Sequence, residues 1–117
     1  MTDDAPRPAI RPAEGLYAIR AGGAVLAESR NALAVSFEGD EGPAIYVPRA
    51  EAGELFLEPT ETRFEIPGLG RARQYDIIAK SGPIKAAAWA LESPAPGAEA
   101  LGGHVAFDTA RVAVERL

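Results

Sequence analysis

Three glutamates in this sequence have the context that acid and base chemistry would use. Glu28, Glu58 and Glu92 each lie at the end of a short apolar stretch. Two carboxylates that share a pocket can act as general acid and general base when their surroundings separate their pKa values. The alternative is that each glutamate caps a turn or pairs with a nearby arginine on the surface. The sequence therefore leaves open whether the chain is an enzyme, and no catalytic residue is assigned.

Arginine and aromatic residues offer a second kind of chemistry, the binding of an anion. A guanidinium group can hold a carboxylate or a phosphate through two parallel hydrogen bonds. In the competing interpretation the aromatic residues belong to the core, and the arginines pair with the glutamates to join strand ends. The candidate ligand-binding residues are Glu28, Arg30, Tyr46, Arg49, Glu58, Arg63, Tyr75, Trp89 and Glu92.

The sequence predicts no metal site and no cofactor. It contains no cysteine and a single histidine, His104, whereas a typical zinc site needs several converging ligands. His104 follows two glycines at the start of a predicted strand, which favours a structural or solvent-facing role. The sequence contains the residue types of a Ser-His-Asp catalytic triad in Ser29, His104 and several aspartates, but most sequences contain these residue types. The glycine-rich runs lack the following helix of a phosphate loop, so we interpret them as turns.

The composition indicates a folded protein and makes nucleic acid and membranes poor partners, so the expected partner is an unknown small-molecule ligand. The formal net charge is −5, with 47% hydrophobic and 25% charged residues, values typical of globular domains. An acidic chain without a cluster of cations is poorly suited to nucleic acid or an anionic membrane. No apolar run approaches the roughly 18 residues that span a bilayer, and the first residues are acidic where an export signal is basic. We expect a cytoplasmic protein.

The elements that position the candidate residues are predicted to be short antiparallel strands. Apolar residues alternate at every second position between turns rich in glycine and proline. Residues 16–29 are expected to form a hairpin around Gly22 and Gly23, and Val105 to Val114 a closing hairpin around Asp108 and Thr109. Pro59 is expected to end one strand before another begins. Further strands are predicted at 33–37, 45–47, 55–58, 62–66, 74–80 and 84–91, with single helical turns at 49–53 and 98–101.

This pattern favours an all-β fold, mainly of short antiparallel strands, arranged as a sandwich or a partly open barrel. Residues 1–14 contain three prolines, a composition that favours an extended, solvated arm. Residues 15–117 are expected to form a single domain, because two domains from 117 residues would each be marginal.

Five stretches of the sequence resemble a family of bacteria and fungi, the domain-of-unknown-function family number 427. They occur in the order and at the approximate spacing of that family over residues 15–117. The stretches are Ala27-Glu28-Ser29-Arg30, Tyr46-Val47-Pro48-Arg49, Leu57-Glu58-Pro59-Thr60 with Thr62-Arg63, Ala88-Trp89 with Glu92 and Pro94, and Gly103-His104-Val105-Ala106-Phe107.

The resemblance implies a compact fold similar to the β-tent of methionine sulfoxide reductase B and of some zinc-bearing chaperones. It implies no activity, and the sequence lacks the glycine-serine pair and two-aspartate motif that nucleotidyl transfer would use. The family usually has a Cys-Pro-Tyr-Lys-Gly run where this chain reads Ile66-Pro67-Gly68-Leu69-Gly70, and Tyr-Trp where it reads Tyr75-Asp76. Any thiol or amine chemistry at that run is therefore lost here.

Three functions follow from these observations. The first is a binding module whose concave sheet face holds a small polar or anionic ligand. The second is an enzyme that uses Glu28, Glu58 or Glu92 as acid or base. The third is a protein-interaction module, including a homo-oligomer, that associates through an exposed sheet edge.

Overall fold

The structure, a computed structural model, describes residues 8–21, 23–37, 42–52, 57–79 and 82–117. Strands predominate in these residues, and their one regular helical element is a single 3-10 turn. The strands are β1 (Ala9–Pro12), β2 (Tyr17–Ala21), β3 (Ala24–Ser29), β4 (Leu33–Ser36), β5 (Ala44–Pro48), β6 (Leu57–Ile66), β7 (Gly70–Ala79), β8 (Gly82–Pro94), β9 (His104–Phe107) and β10 (Ala113–Arg116), and the 3-10 turn is Glu99–Leu101. The all-β prediction is confirmed.

The strands form two antiparallel sheets. Seven strands pair in the order β1-β4-β5-β9-β8-β7-β6, and three pair in the order β10-β2-β3. The three longest strands, β6, β7 and β8, are neighbours at one side of the larger sheet, where β6 is the edge strand. They carry five of the nine candidate residues, namely Glu58, Arg63, Tyr75, Trp89 and Glu92.

Each face of the seven-stranded sheet buries its own apolar cluster. Successive side chains on a strand point to opposite faces, so Val105 of β9 joins one cluster and Ala106 joins the other. The first cluster includes Ile19 of β2 and therefore fills the space between the two sheets. The second contains Tyr46 and is covered by Leu101 of the 3-10 turn. We call the Val105 side the inter-sheet face and the Ala106 side the outer face.

Several predicted elements are confirmed. β2 and β3 form the first hairpin, with Ala21 opposite Ala24. Tyr75 and Ile77 share the inter-sheet face, as their spacing predicts. Residues 84–91 form strand despite three consecutive alanines, because pairing with both β7 and β9 outweighs helix propensity. The predicted turn at 98–101 is present as the 3-10 turn.

The prediction that Pro59 ends a strand is wrong. β6 continues through Pro59 from Leu57 to Ile66. Proline lacks a backbone N–H group, but an edge strand needs only one of its sides for pairing. The register between β6 and β7 shifts between Pro59 and Arg63, so the strand accommodates the proline with a bulge instead of a break.

The predicted closing hairpin is also wrong. β9 pairs with β5 and β8 in the larger sheet, whereas β10 pairs with β2 in the smaller one. The turn after β9 does form, because the N–H groups of Arg111 and Val112 both donate to the Asp108 carbonyl oxygen at 2.9 Å. It directs the chain into the second sheet, where Val112 is buried between the sheets.

The amino-terminal segment packs more closely than its composition indicated. Residues 9–12 of the expected arm form β1, with Ile10 opposite Val35 of β4. Residues 49–52 make a turn in which the Ala52 N–H donates to the Pro48 carbonyl oxygen at 3.0 Å. Predictions that concern residues 1–7, Gly22, 38–41, 53–56 and 80–81 lie outside the described residues.

Candidate functional site

The nine candidate residues lie in separate groups. Tyr46 and Trp89 are on the outer face of the large sheet, because both pack in the second cluster. Tyr75 is in the first cluster, and Arg49 contacts its ring. These four side chains therefore lie on opposite faces of one sheet and do not line a shared concave surface.

The outer-face pair, Tyr46 and Trp89, is part of the core. Trp89 Nε1 donates a hydrogen bond to the Tyr46 hydroxyl group at 3.1 Å. Tyr46 is 1% exposed, and burial raises the pKa of its hydroxyl although the bond from Trp89 opposes this shift. Phe64 packs edge-on against Trp89, with the ring centroids 6.4 Å apart. The hydrogen bond and the buried hydroxyl indicate a structural role for Tyr46.

The inter-sheet pair, Arg49 and Tyr75, is joined by two contacts. Arg49 Nη1 donates to the Tyr75 hydroxyl oxygen at 2.9 Å, and its guanidinium carbon lies 4.8 Å from the centre of the tyrosine ring. Cation–π attraction of this kind stabilises a partly desolvated arginine. The pair fixes the turn after β5 to the middle of β7.

Arg63 and Glu92 form an ion pair, as the competing interpretation of the sequence expected for arginines and glutamates. Arg63 Nε lies 2.7 Å from Glu92 Oε1. Arg73, which the sequence analysis did not select, approaches the same carboxylate, with its Nη1 3.9 Å from Oε2. Arg73 Nε also donates to the Thr60 carbonyl oxygen at 2.8 Å.

The three glutamates proposed as acid and base lie on three different strands. Glu28 is exposed on β3, in the smaller sheet. Glu58 is exposed on β6 opposite Asp76 of β7, and Glu92 is paired with Arg63 on β8. This arrangement gives no support to a pair of carboxylates that share one enclosed pocket.

Arg30 lies at a groove that sequence reasoning did not predict. Residues 12–15 and 30–33 line this groove, which has a volume of about 470 Å³. Its floor includes Ala13 and Ala32, which are 7% and 2% exposed, and the Ala13 N–H donates to the Ala32 carbonyl oxygen at 2.9 Å. Arg30 and Glu14 are exposed at its rim.

One wall of the groove is anchored by a polar network. The Asn31 N–H donates to the hydroxyl oxygen of Ser29, which is buried, and Asn31 Nδ2 donates to Glu51 Oε2 at 2.8 Å. Hydrogen bonds from the side chains of Asn31 and Ser29 lower the pKa of Glu51. These hydrogen bonds hold the wall in place. No short motif could have revealed it, because Asn31 and Glu51 are separated by two strands, β4 and β5.

The side chain of a second arginine, Arg116, packs beside the groove at Gly15. A Cβ atom at Gly15 would lie 2.9 Å from Arg116 Nε, and this glycine has a φ of +102°. The positive φ favours glycine here, and the absence of a side chain leaves room for Arg116 beside it. β10 brings Arg116 to this position because it pairs with β2, with Arg116 opposite Tyr17.

The Glu51 network predicts a pH-dependent loss of stability. Because folding lowers the pKa of Glu51 from 4.5, its contribution to stability is complete above that unfolded value and is lost as the pH falls through the folded pKa. Glu51→Gln should flatten this part of the profile of melting temperature against pH. Glu58→Gln, an exposed position on β6, is the matched control. Parallel profiles for wild type and Glu51→Gln below pH 4.5 would contradict the network.

The remaining polar candidates show no metal site. Among the described residues, no three histidine, aspartate or glutamate side chains converge as metal ligands would. His104 is half-buried, and its Nδ1 lies 3.1 Å from the Gly102 carbonyl oxygen. The same part of the chain contains no helix long and apolar enough to cross a bilayer.

Fold and site together define a small all-β protein with an open groove rimmed by charged groups. The chain belongs to the family described as Domain of unknown function (DUF427), whose model matches residues 9–117. The match begins at β1 and confirms the resemblance seen in the sequence. No curated protein matches the chain.

Proposed function

We propose that this chain is a binding module for a small organic anion, which it holds in the groove between residues 12–15 and 30–33. One observation carries the proposal: a groove of about 470 Å³ combines an apolar floor with the Arg30 guanidinium group at its rim and the Arg116 side chain packed beside it on Gly15. Ligand sites commonly have volumes of about 300–1,000 Å³, mostly apolar walls and a few polar groups that set orientation.

The charges at the rim favour a monoanion. Arg30 lines the groove and Arg116 packs on Gly15, which gives two positive charges, whereas Glu14 supplies one negative charge. The Glu51 carboxylate in the groove wall is already held by Asn31, so a single free carboxylate suits the two guanidinium groups, and a dianion would meet stronger repulsion from Glu14 and Glu51. The apolar part of the ligand would cover Ala13, Ala32 and Leu33. The ligand class is therefore a monocarboxylate with a short apolar body.

Hexanoate is a suitable probe of this site. At roughly 0.5 kcal/mol for each of its heavy atoms, we expect a Kd of about 1 mM. A concentration of 10 mM, about tenfold above this Kd, would then stabilise the protein by about 1.4 kcal/mol and raise the melting temperature by roughly 5 °C. Hexylammonium, which has a similar apolar body and the opposite charge, should give no increase at equal ionic strength.

Two substitutions test whether the rim arginines bind the carboxylate. Arg30→Gln and Arg116→Gln should each weaken hexanoate binding by about threefold to tenfold, the range for loss of one exposed charged contact. Arg71→Gln removes the same charge from an exposed position on β7 that pairs with Glu65 at 3.2 Å, and it should leave binding unchanged. Equal losses in all three variants would reject the groove as the site.

A further inference from the structure

Two arginines face each other across neighbouring strands, an arrangement that opposes folding unless an anion lies between them. Arg63 of β6 is directly opposite Arg73 of β7. Like charges at such positions destabilise a sheet, because their side chains are close and point the same way. The Arg63 and Arg73 side chains are 46% and 28% exposed, so small solutes can reach both guanidinium groups.

Glu92 supplies the anion, and it does so from an irregular position. On β8, Ser93 pairs with Arg71 and Leu91 pairs with Ala72, so Glu92 is the extra residue of a bulge. A bulge re-aims a side chain away from its regular direction. Glu92 presents one oxygen to each arginine, with Oε1 2.7 Å from Arg63 Nε and Oε2 3.9 Å from Arg73 Nη1.

We infer that Arg63 and Arg73 form a carboxylate-binding site, separate from the groove, in which Glu92 is a tethered occupant. The two guanidinium groups carry one positive charge more than the single carboxylate neutralises. The contact to Arg73 is long, so Glu92 satisfies one arginine well and the other poorly. A free carboxylate that exchanges with Glu92 gains both arginines, and Glu92 turns toward solvent.

The geometry suits a carboxylate. Arg73 Nε is already engaged by the Thr60 carbonyl oxygen, which leaves the Nη groups of Arg73 to face Arg63. Two planar donors on opposite sides suit the two oxygens of a planar carboxylate.

Chemical rescue of Glu92→Ala tests the site. The variant should melt about 5 °C lower than wild type, because the opposed arginines lose their counter-charge. Acetate at 100 mM should restore about half of this loss, whereas sodium chloride at equal ionic strength should restore much less. Wild type should show a smaller acetate-specific gain than the variant, because acetate must displace the tethered Glu92 carboxylate.

Three controls make the result decisive. Glu92→Gln keeps the shape of the side chain and should show the same acetate-specific gain if Glu92→Ala folds poorly. Adding Arg73→Gln to either variant should abolish the gain, whereas adding Arg30→Gln, at the groove, should not. Failure of acetate to stabilise either variant, or equal rescue by acetate and chloride, would overturn the carboxylate site without bearing on the groove.

Discussion

Gly70→Ala should destabilise the protein by about 3–5 kcal/mol, through strain in the backbone and a direct overlap. Gly70 begins β7 with a φ of +117°, and an added Cβ atom would lie 2.1 Å from the Ser93 carbonyl oxygen and 2.7 Å from the Ala95 nitrogen. Both are backbone atoms, so no flexible side chain can move aside. The Ala95 N–H also donates to the Leu69 carbonyl oxygen at 2.7 Å, which holds the two segments together.

Gly82→Ala is the matched control for Gly70→Ala. Gly82 has a nearly identical φ of +120°, but no atom of the described residues lies within 4 Å of its added Cβ atom. It should therefore show only the cost of the left-handed backbone, about 1–2 kcal/mol. Urea denaturation of both variants measures the difference directly. A Gly70→Ala protein as stable as Gly82→Ala would contradict the close approach of β7 and β8 at this point.

Tyr46→Ala should also cost about 3–5 kcal/mol, the usual range for removing a large buried aromatic side chain. Tyr46 is 1% exposed and lies in the outer-face cluster beneath the 3-10 turn. Tyr46→Phe removes only the hydroxyl oxygen that accepts the Trp89 Nε1 hydrogen bond, and should cost about 1–2 kcal/mol.

The same pair of variants separates a core role for Tyr46 from a ligand-binding role. Tyr46→Phe should bind hexanoate as tightly as wild type, because Tyr46 is absent from the groove lining. Denaturation curves and hexanoate titrations on the same samples test both parts. Loss of hexanoate binding with unchanged stability would assign Tyr46 to a ligand site instead of the core.

The strands could be predicted from the sequence because each carries its own signal. Apolar residues at every second position, such as Tyr75 and Ile77, report which face is buried without reference to partners. The partners themselves depend on contacts between distant segments. Nothing near Asp108 indicates that β10 leaves β9 to pair with β2, and nothing near Pro59 indicates that β6 is an edge strand that tolerates it.

The candidate site was harder to predict than the fold for a related reason. Arg49, Tyr75 and Trp89 have side chains suited to binding an anion. Whether they share a surface depends on which residues of each strand face the same side of the sheet, and on bulges that change this alternation. β7 and β8 shift register between Tyr75 and Ile77, where Asp76 Oδ1 accepts the N–H of Ala86 at 2.9 Å and Ala86 has a φ of +55°. A bulge of this kind leaves no signature in the spacing of apolar residues. The groove at Arg30 was likewise hidden, because residues 12–15 and 30–33, which line it, and Glu51 and Arg116, which border it, are distant in the sequence.

Mapping hexanoate onto the backbone amides by two-dimensional NMR tests the central claim most directly. As hexanoate is added to the full chain, amide shifts should change at residues 13–15, 30–33 and 116 and saturate with a Kd of about 1 mM. The changes should disappear in the Arg30→Gln, Arg116→Gln double variant. Changes confined to other parts of the chain, or none at concentrations tenfold above that Kd, would contradict a monocarboxylate site in the groove.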